Sequence, residues 1–334
     1  MLKIKSYPRS FFTLFQGLPL LFRINTNKMR QFLFIAFVAL GFTACQTQDS
    51  SPSEGENSTI KVVATTSILT DWASNVLNDE FEVVPLLKKG IDPHVYKPTK
   101  KDLDILREAD VILYHGVHLE GRIIDVLEKM QGKLIIDVSK DFTTEDIISD
   151  PNFPASQDPH YWFDTELVKK SINTIVNELV AEYPGTEQDL KRRVKNYELA
   201  INASALSVHD IIDEIDSNMR IVITTHDALS YFARAFHIEV NTLQGASTVS
   251  EFGLREITEL VDFICENKVP AIFLENIVSP QAMESVQRGC EEKGFQVKLG
   301  PELLSDSLGS EEDQDTYLEM LTFNARTIAA YLAE

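Results

Sequence analysis

From residue 60 onward the chain alternates short apolar runs with longer stretches in which apolar residues return every three or four positions. Runs of strand length sit at Ile60 to Ala64, Phe81 to Leu87, Val111 to Tyr114 and Leu134 to Val138. Helical patterns separate them at Ile68 to Leu77, about Lys100 to Ala109, and Ile123 to Met130. Strand and helix in alternation indicate a parallel sheet with helices on both faces, a three-layer α/β arrangement. An acidic, turn-rich stretch, Asp141 to Gln157, interrupts the pattern, and a helix follows over Thr165 to Tyr183, stopped by Pro184-Gly185.

The next stretch, Glu187 to Asp216, keeps helical spacing throughout, with Leu190, Val194, Tyr197, Ile201, Ile211 and Ile215 on the apolar stripe. At 1.5 Å per residue it would run about 45 Å, more than one small domain requires. It reads as a bridge between two lobes, the alternative being a helix–loop–helix broken near Asn202 to Ser204. Beyond it the alternation resumes. Strands are expected at Arg220 to Thr224, Ile238 to Leu243, Ala271 to Leu274 and Gln296 to Leu299. The matching helices are Ala228 to Phe236, Gly253 to Asn267, Pro280 to Lys293 and Gln314 to Leu332. The fold class is therefore α/β, with two Rossmann-like parallel-sheet lobes joined by a long rigid helix. The expected organisation is an N-terminal lobe over 59–185, a connecting helix over 186–216 and a C-terminal lobe over 217–334.

Ahead of the first strand the composition changes. Residues 1–44 hold six basic residues and no acidic one, so the rest of the chain has 25 basic against 51 acidic residues, a net charge of −26. A body this acidic is not built for nucleic acid. Met29-Arg30, the apolar core Phe32 to Leu40, and Phe42-Thr-Ala-Cys45 form an export signal with a small-residue ending. The arrangement resembles a bacterial lipoprotein signal, in which Cys45 becomes the lipidated first residue of the exported protein, with Phe42 departing from the usual aliphatic residue. Met29 is then the expected start, the alternative being a genuine long N-region from Met1. Gln46 to Ser58, rich in Ser, Glu, Asp and Gly, is a flexible tether. The two remaining cysteines, Cys265 and Cys290, flank one strand. They form a disulfide across neighbouring helices, which export permits, or remain two small apolar residues.

Candidate chemistry begins with a repeated tripeptide. Asp92-Pro93-His94 follows the second strand, and Asp158-Pro159-His160 precedes the helix at 165. Proline keeps the preceding aspartate out of helical geometry, so each histidine is displayed on an extended turn. For the first, this lies at the carboxyl edge of the sheet, where open α/β folds bind ligands. His226 follows the first strand of the second lobe, and Asp306 lies shortly after its last. Three neutral imidazoles and a carboxylate suit Zn²⁺, and Mn²⁺ is compatible with them. Four protein donors close a tetrahedral ion and leave no position for a reacting water, which favours binding over catalysis.

The motifs around these residues carry a resemblance. They include Asp-Pro-His-Val-Tyr-Lys-Pro-Thr (92–99), His-Gly-Val-His-Leu-Glu (115–120) and Asp-Pro-His-Tyr-Trp-Phe-Asp (158–164). Thr-Thr-His-Asp-Ala-Leu-Ser-Tyr-Phe (224–232), Gln-Gly-Ala-Ser-Thr (244–248), Val-Pro-Ala-Ile-Phe-Leu-Glu (269–275) and Ser-Asp-Ser-Leu (305–308) complete the set. From about residue 60 to the end the chain resembles the zinc/manganese-binding family of bacterial ABC-transporter solute-binding lipoproteins, once described as adhesins. The resemblance implies metal at the lobe interface, held by His94, His160, His226 and Asp306. It also implies an exported, lipid-anchored monomer that hands its ion to a membrane permease with a separate ATPase. Manganese and iron members often have glutamate at the third position. His226 here points toward zinc, whereas the absence of a long His-rich loop leaves manganese open.

No phosphate-binding Gly-Lys-Thr loop occurs, so energy for import must come from another chain. Two rivals follow from the same residues. A zinc-dependent hydrolase would use a base such as Glu275, and an adhesion protein would use the metal structurally. Asp92, Asp164, Asp227 and Glu275 are candidates to orient the metal-binding imidazoles. His115 and His118 are expected at the sheet edge, lining the cleft or merely on its rim. Trp162 and Tyr231 are expected in the core beside the site, His209 on an exposed helical face and His237 in a turn.

Overall fold

The computed structural model describes residues 59–149 and 157–333. The export signal, Cys45 and the tether lie outside the described residues. The first lobe is a parallel sheet in the order β2-β1-β3-β4, from β1 (Ile60–Ala64), β2 (Phe81–Pro85), β3 (Val111–Tyr114) and β4 (Leu134–Asp137). Helices α1 (Ser67–Val76), α2 (Lys100–Glu108) and α3 (Gly121–Leu127) make the crossovers. Val62 and Val63 are both fully buried although they face opposite ways, as expected of a sheet covered on both sides. Regular pairing in β2 ends at Pro85, but Leu86 and Leu87 still donate backbone bonds to Ala64 and Thr65. The apolar run thus extends beyond the strand.

Helix α2 starts at Lys100, as its apolar spacing predicts. Thr99 is its cap, its hydroxyl accepting from the Asp102 amide while the Asp102 carboxylate accepts from the Thr99 amide. Helix α4 (Thr165–Glu182) is capped by Asp164, and α5 (Glu187–Asp213) follows after a turn at Pro184–Thr186. Helix α5 is unbroken through Asn202 to Ser204, which removes the helix–loop–helix alternative. At 27 residues it is about 40 Å long.

The second lobe has two parallel pairs. One is β5 (Ile221–Thr224) with β6 (Glu239–Thr242), the other β7 (Ala271–Glu275) with β8 (Lys298–Leu303). Strands β5 and β7 lie side by side. Helices α6 (Ser230–Phe236), α7 (Leu254–Asn267), α8 (Gln281–Glu292) and α9 (Tyr317–Leu332) complete it. Strand β8 runs four residues past the expected end at Leu299. Its register slips between Ile272 and Leu274, so Gly300-Pro301 sits in a bulge opposite Phe273. A Cβ on Gly300 would lie 2.8 Å from Cδ1 of Phe273, so only glycine admits the close approach.

Helix α5 packs on α1 and α4 of the first lobe and on α6 and α9 of the second. Asp71 of α1 ties three helices together, accepting from the Tyr197 hydroxyl of α5 at 3.0 Å and the Tyr317 amide of α9 at 3.1 Å. One apolar cluster runs through both lobes, from Val62 and Val111 through Ile201 to Val222, Phe273 and Ile328. A smaller one, with Ile223, Ile264 and Cys290, lies under α7 and α8. Cys265 and Cys290 are free thiols; burial and the neighbouring Cys265 push Cys290 up to about 12. Among the described residues no helix is long and apolar enough to cross a membrane.

Candidate metal centre

The two Asp-Pro-His turns work by one local device. Asp92 Oδ1 accepts from the His94 amide at 2.8 Å, and Asp158 Oδ1 accepts from the His160 amide at 2.9 Å. Each aspartate thus folds the turn that presents its histidine. His226 follows β5 directly, and its amide and that of Thr225 both donate to Glu275 Oε1 at the end of β7, at 2.9 and 2.8 Å. The Asp306 loop is held from several sides. Asn324 of α9 bonds both the amide and the carbonyl of Leu304, Asn276 bonds Ser305 and Ser307, and Trp162 Nε1 donates to the Ser305 carbonyl.

These elements bring His94, His160, His226 and Asp306 together, one donor atom from each within 4.8 Å of all the others. His160 and His226 are fully buried, Asp306 is 1% exposed, and His94, at 7%, is nearest to solvent. His94 Nε2 lies 3.2 Å from both His160 Nε2 and Asp306 Oδ2. His160 Nε2 and His226 Nε2 lie 3.3 and 3.5 Å from Asp306 Oδ1. A tetrahedron around an ion with bonds of about 2.0–2.1 Å has edges of about 3.3–3.4 Å. The four spacings given, 3.2 to 3.5 Å, lie close to that edge. His226 Nε2 and both Asp306 oxygens are buried without a hydrogen-bond partner. Buried polar atoms rarely go unpartnered, and a cation at their common centre would satisfy all three.

The outer nitrogens face carboxylates. His160 Nδ1 is 2.7 Å from Asp158 Oδ1, and His226 Nδ1 is 2.5 Å from Glu275 Oε2. The hydrogen bond to Asp158 fixes the His160 tautomer that turns Nε2 inward, and Glu275 lies at ion-pair distance from the outer nitrogen of His226. Burial opposes charge on His160, but Asp306 and Asp158 outweigh it and hold its pKa up at about 9. Burial also opposes charge on His226, and Glu275 and Asp306 raise it well above the ordinary range. For Asp306 burial favours the neutral acid, yet His160 and His226 hold it well below the usual carboxylate range. Without an ion, protons on the imidazoles balance the carboxylates.

Of the four acids expected to orient imidazoles, only Glu275 does so. Asp92 holds its own turn and accepts from the Thr248 hydroxyl across the cleft at 2.7 Å. Asp164 caps α4 and pairs with Arg234, and Asp227 accepts from Ser230. Asp158, which holds His160, was not among them, although its place two residues before the histidine was a usable signal.

His115 is neither a cleft-lining nor a rim residue. It is fully buried, with Nε2 2.8 Å from the Thr66 hydroxyl and Nδ1 3.0 Å from the Tyr161 hydroxyl. Burial pushes its pKa down to about 3. His118 is exposed, in a left-handed turn with Gly116 and Val117. Trp162 is buried core, edge-on to the His160 ring, and Tyr231 donates to the Asp158 carbonyl. His209 is half-buried against Phe236 rather than exposed, and His237 ends α6 in left-handed geometry.

Residues 62–331 match the family model of ZnuA, the periplasmic component A of a zinc-uptake complex. The chain belongs to this family. The zinc-binding protein TroA of Treponema pallidum is 34% identical over 274 residues, 81% of this chain and 88% of TroA. The manganese-binding lipoprotein MntA of Bacillus subtilis is 33% identical over 312 residues, 91% of this chain and all of MntA. A solved structure of periplasmic TroA from Treponema pallidum, 33% identical, superposes with a TM-score of 0.79 over 82% of this chain and 99% of that one. As a member of the ZnuA family, the chain shares its fold of parallel-sheet α/β lobes.

Proposed function

We propose that this protein is an extracytoplasmic receptor that captures a transition-metal ion on His94, His160, His226 and Asp306 and delivers it to an ABC import permease. The observation that carries the reading is the set of inward-facing, unpartnered atoms on His226 and Asp306 in a fully buried site. Zinc is the proposed cargo, because three imidazole nitrogens and a carboxylate at tetrahedral spacing suit it. Manganese is the second reading. Both Asp306 oxygens face the imidazoles, Oδ2 toward His94 and Oδ1 toward His160 and His226, so a fifth donor is available to a larger ion. The names of TroA and MntA span the same two metals.

The protein acts as a carrier, not an enzyme. Glu275, the base a hydrolase would need, is committed to His226 and two backbone amides. The proposed organisation is an export signal over 1–45 starting at Met29, lipidation at Cys45, a tether over 46–58, lobes at 59–185 and 217–334, and a connecting helix at 186–216. The working form is a monomer.

Native mass spectrometry with metal analysis of protein purified without chelator tests this reading. One zinc per chain is expected, lost in His160→Ala and in Asp306→Ala. Two tightly held ions, or full loading of Asp306→Ala, would overturn it.

A further inference from the structure

We propose that the lip around the Asp92-Pro93-His94 turn is the surface on which the permease docks, and that it recognises a carboxylate-bearing face of that partner. The proposal rests on the receptor reading above. In a chain of net charge −20, residues 88–101 carry five lysines and a single acid. Lys88, Lys89, Lys97, Lys100 and Lys101 are all exposed. Among the described residues only Lys89 of these forms an ion pair, with Asp315 at 3.7 Å.

At the centre of this basic strip the surface turns apolar. Ile91 and Val95 are 37% and 49% exposed, on either side of the buried His94. Val249, 63% exposed, comes from the opposite lobe and is brought alongside by the bond from the Thr248 hydroxyl to Asp92. Apolar residues ringed by polar ones are the anatomy of a protein interface. The position fits the task, since His94 is the least buried of the four donor residues and the ion's shortest way out passes between these lips. An acidic protein surface is favoured over an anionic bilayer. The lysines occupy one lip only, the apolar centre spans both lobes, and the rest of the chain repels anionic lipid.

Charge reversal at Lys97→Glu, Lys100→Glu and Lys101→Glu tests this in the full-length, zinc-loaded chain. Acids are tolerated at 100 and 101, in the first turn of α2, because the helix dipole favours them there. A control chain carries Lys191→Glu, Lys195→Glu and Lys268→Glu. The probe is the permease–ATPase complex in zwitterionic vesicles, with protein-free anionic vesicles in parallel. The lip variant should associate with the complex at least about tenfold more slowly at low salt, with a smaller deficit at high salt. Zinc affinity and the control chain's association rate should match wild type. Association of the lip variant at the wild-type rate, or wild-type binding to protein-free anionic vesicles as strong as to the complex, overturns the proposal. Zinc uptake by wild type in the same vesicles reports on the receptor reading separately. Uptake intact with unchanged association sinks the lip alone, and a wild-type chain that neither loads zinc nor drives uptake sinks both.

Discussion

With His94, His160, His226 and Asp306 as the proposed donors, loading the centre would be a proton exchange whose stoichiometry follows from how the histidines are packed. The raised pKa of His160, about 9, leaves it almost fully protonated at about pH 7.5, and His226 is held higher than usual by the same kind of neighbours. Asp306 is already ionised and supplies no proton. An ion must therefore displace about two protons at that pH. Three ordinary histidines would together release about 0.3, each carrying about 0.1. Removing the His160 proton costs about 2 kcal/mol at pH 7.5, so zinc affinity should rise about 15-fold from this residue alone as the pH goes to 9. Calorimetric titration of chelator-stripped protein in buffers of different ionisation enthalpy measures the count. Asp158→Asn should lower the count and weaken zinc binding about 10–100-fold. A release below about half a proton with a flat pH dependence between about 7 and 8.5 would refute the account of the metal-free centre.

Three further outcomes are expected. His226→Glu hardens the donor set and adds a negative charge, so the zinc-over-manganese affinity ratio should fall with the metal-free fold intact; a constant ratio in competition titrations would remove His226 from the donor set. Glu120 is raised to about 7 by burial, although His115 and Thr65 donate to its Oε1. Because its folded pKa is raised, its contribution is full below about pH 4.5 and is lost as pH rises through about 7. Glu120→Gln should therefore cut the stability decline between about pH 5 and 8 by about 3 kcal/mol, read from urea unfolding of metal-free protein. Gly300→Ala drives a methyl into Phe273 and should cost about 1–3 kcal/mol without changing zinc stoichiometry; an unchanged unfolding midpoint would contradict the bulge.

The strands were legible in the sequence because strands buried on both faces read as apolar runs, as Val62 to Ala64 and Ala271 to Leu274 do. The histidines were legible because a repeated Asp-Pro-His is a local device whose geometry needs no tertiary knowledge. What escaped depended on partners distant in the chain. Gly300-Pro301 looked like the end of a strand because the bulge that accommodates it is set by Phe273 on the neighbouring strand. His115 looked like a surface residue because its hydroxyl partners, Thr66 and Tyr161, stand 49 and 46 residues away.

The apolar cluster shared by both lobes bears on how long an ion stays aboard. Swinging the lobes apart would wet side chains such as Tyr231, Phe232 and Phe273, all fully buried, at about 25 cal/mol for each Å² of apolar surface. A waist of that kind has no cheap hinge. The ion's exit is then a local event, the parting of the 90–95 turn from the 244–250 loop, for which the Thr248–Asp92 bond is the visible clasp. Residence time would then be a property of two short segments. A recipient would then tell a full carrier from an empty one by the state of those segments.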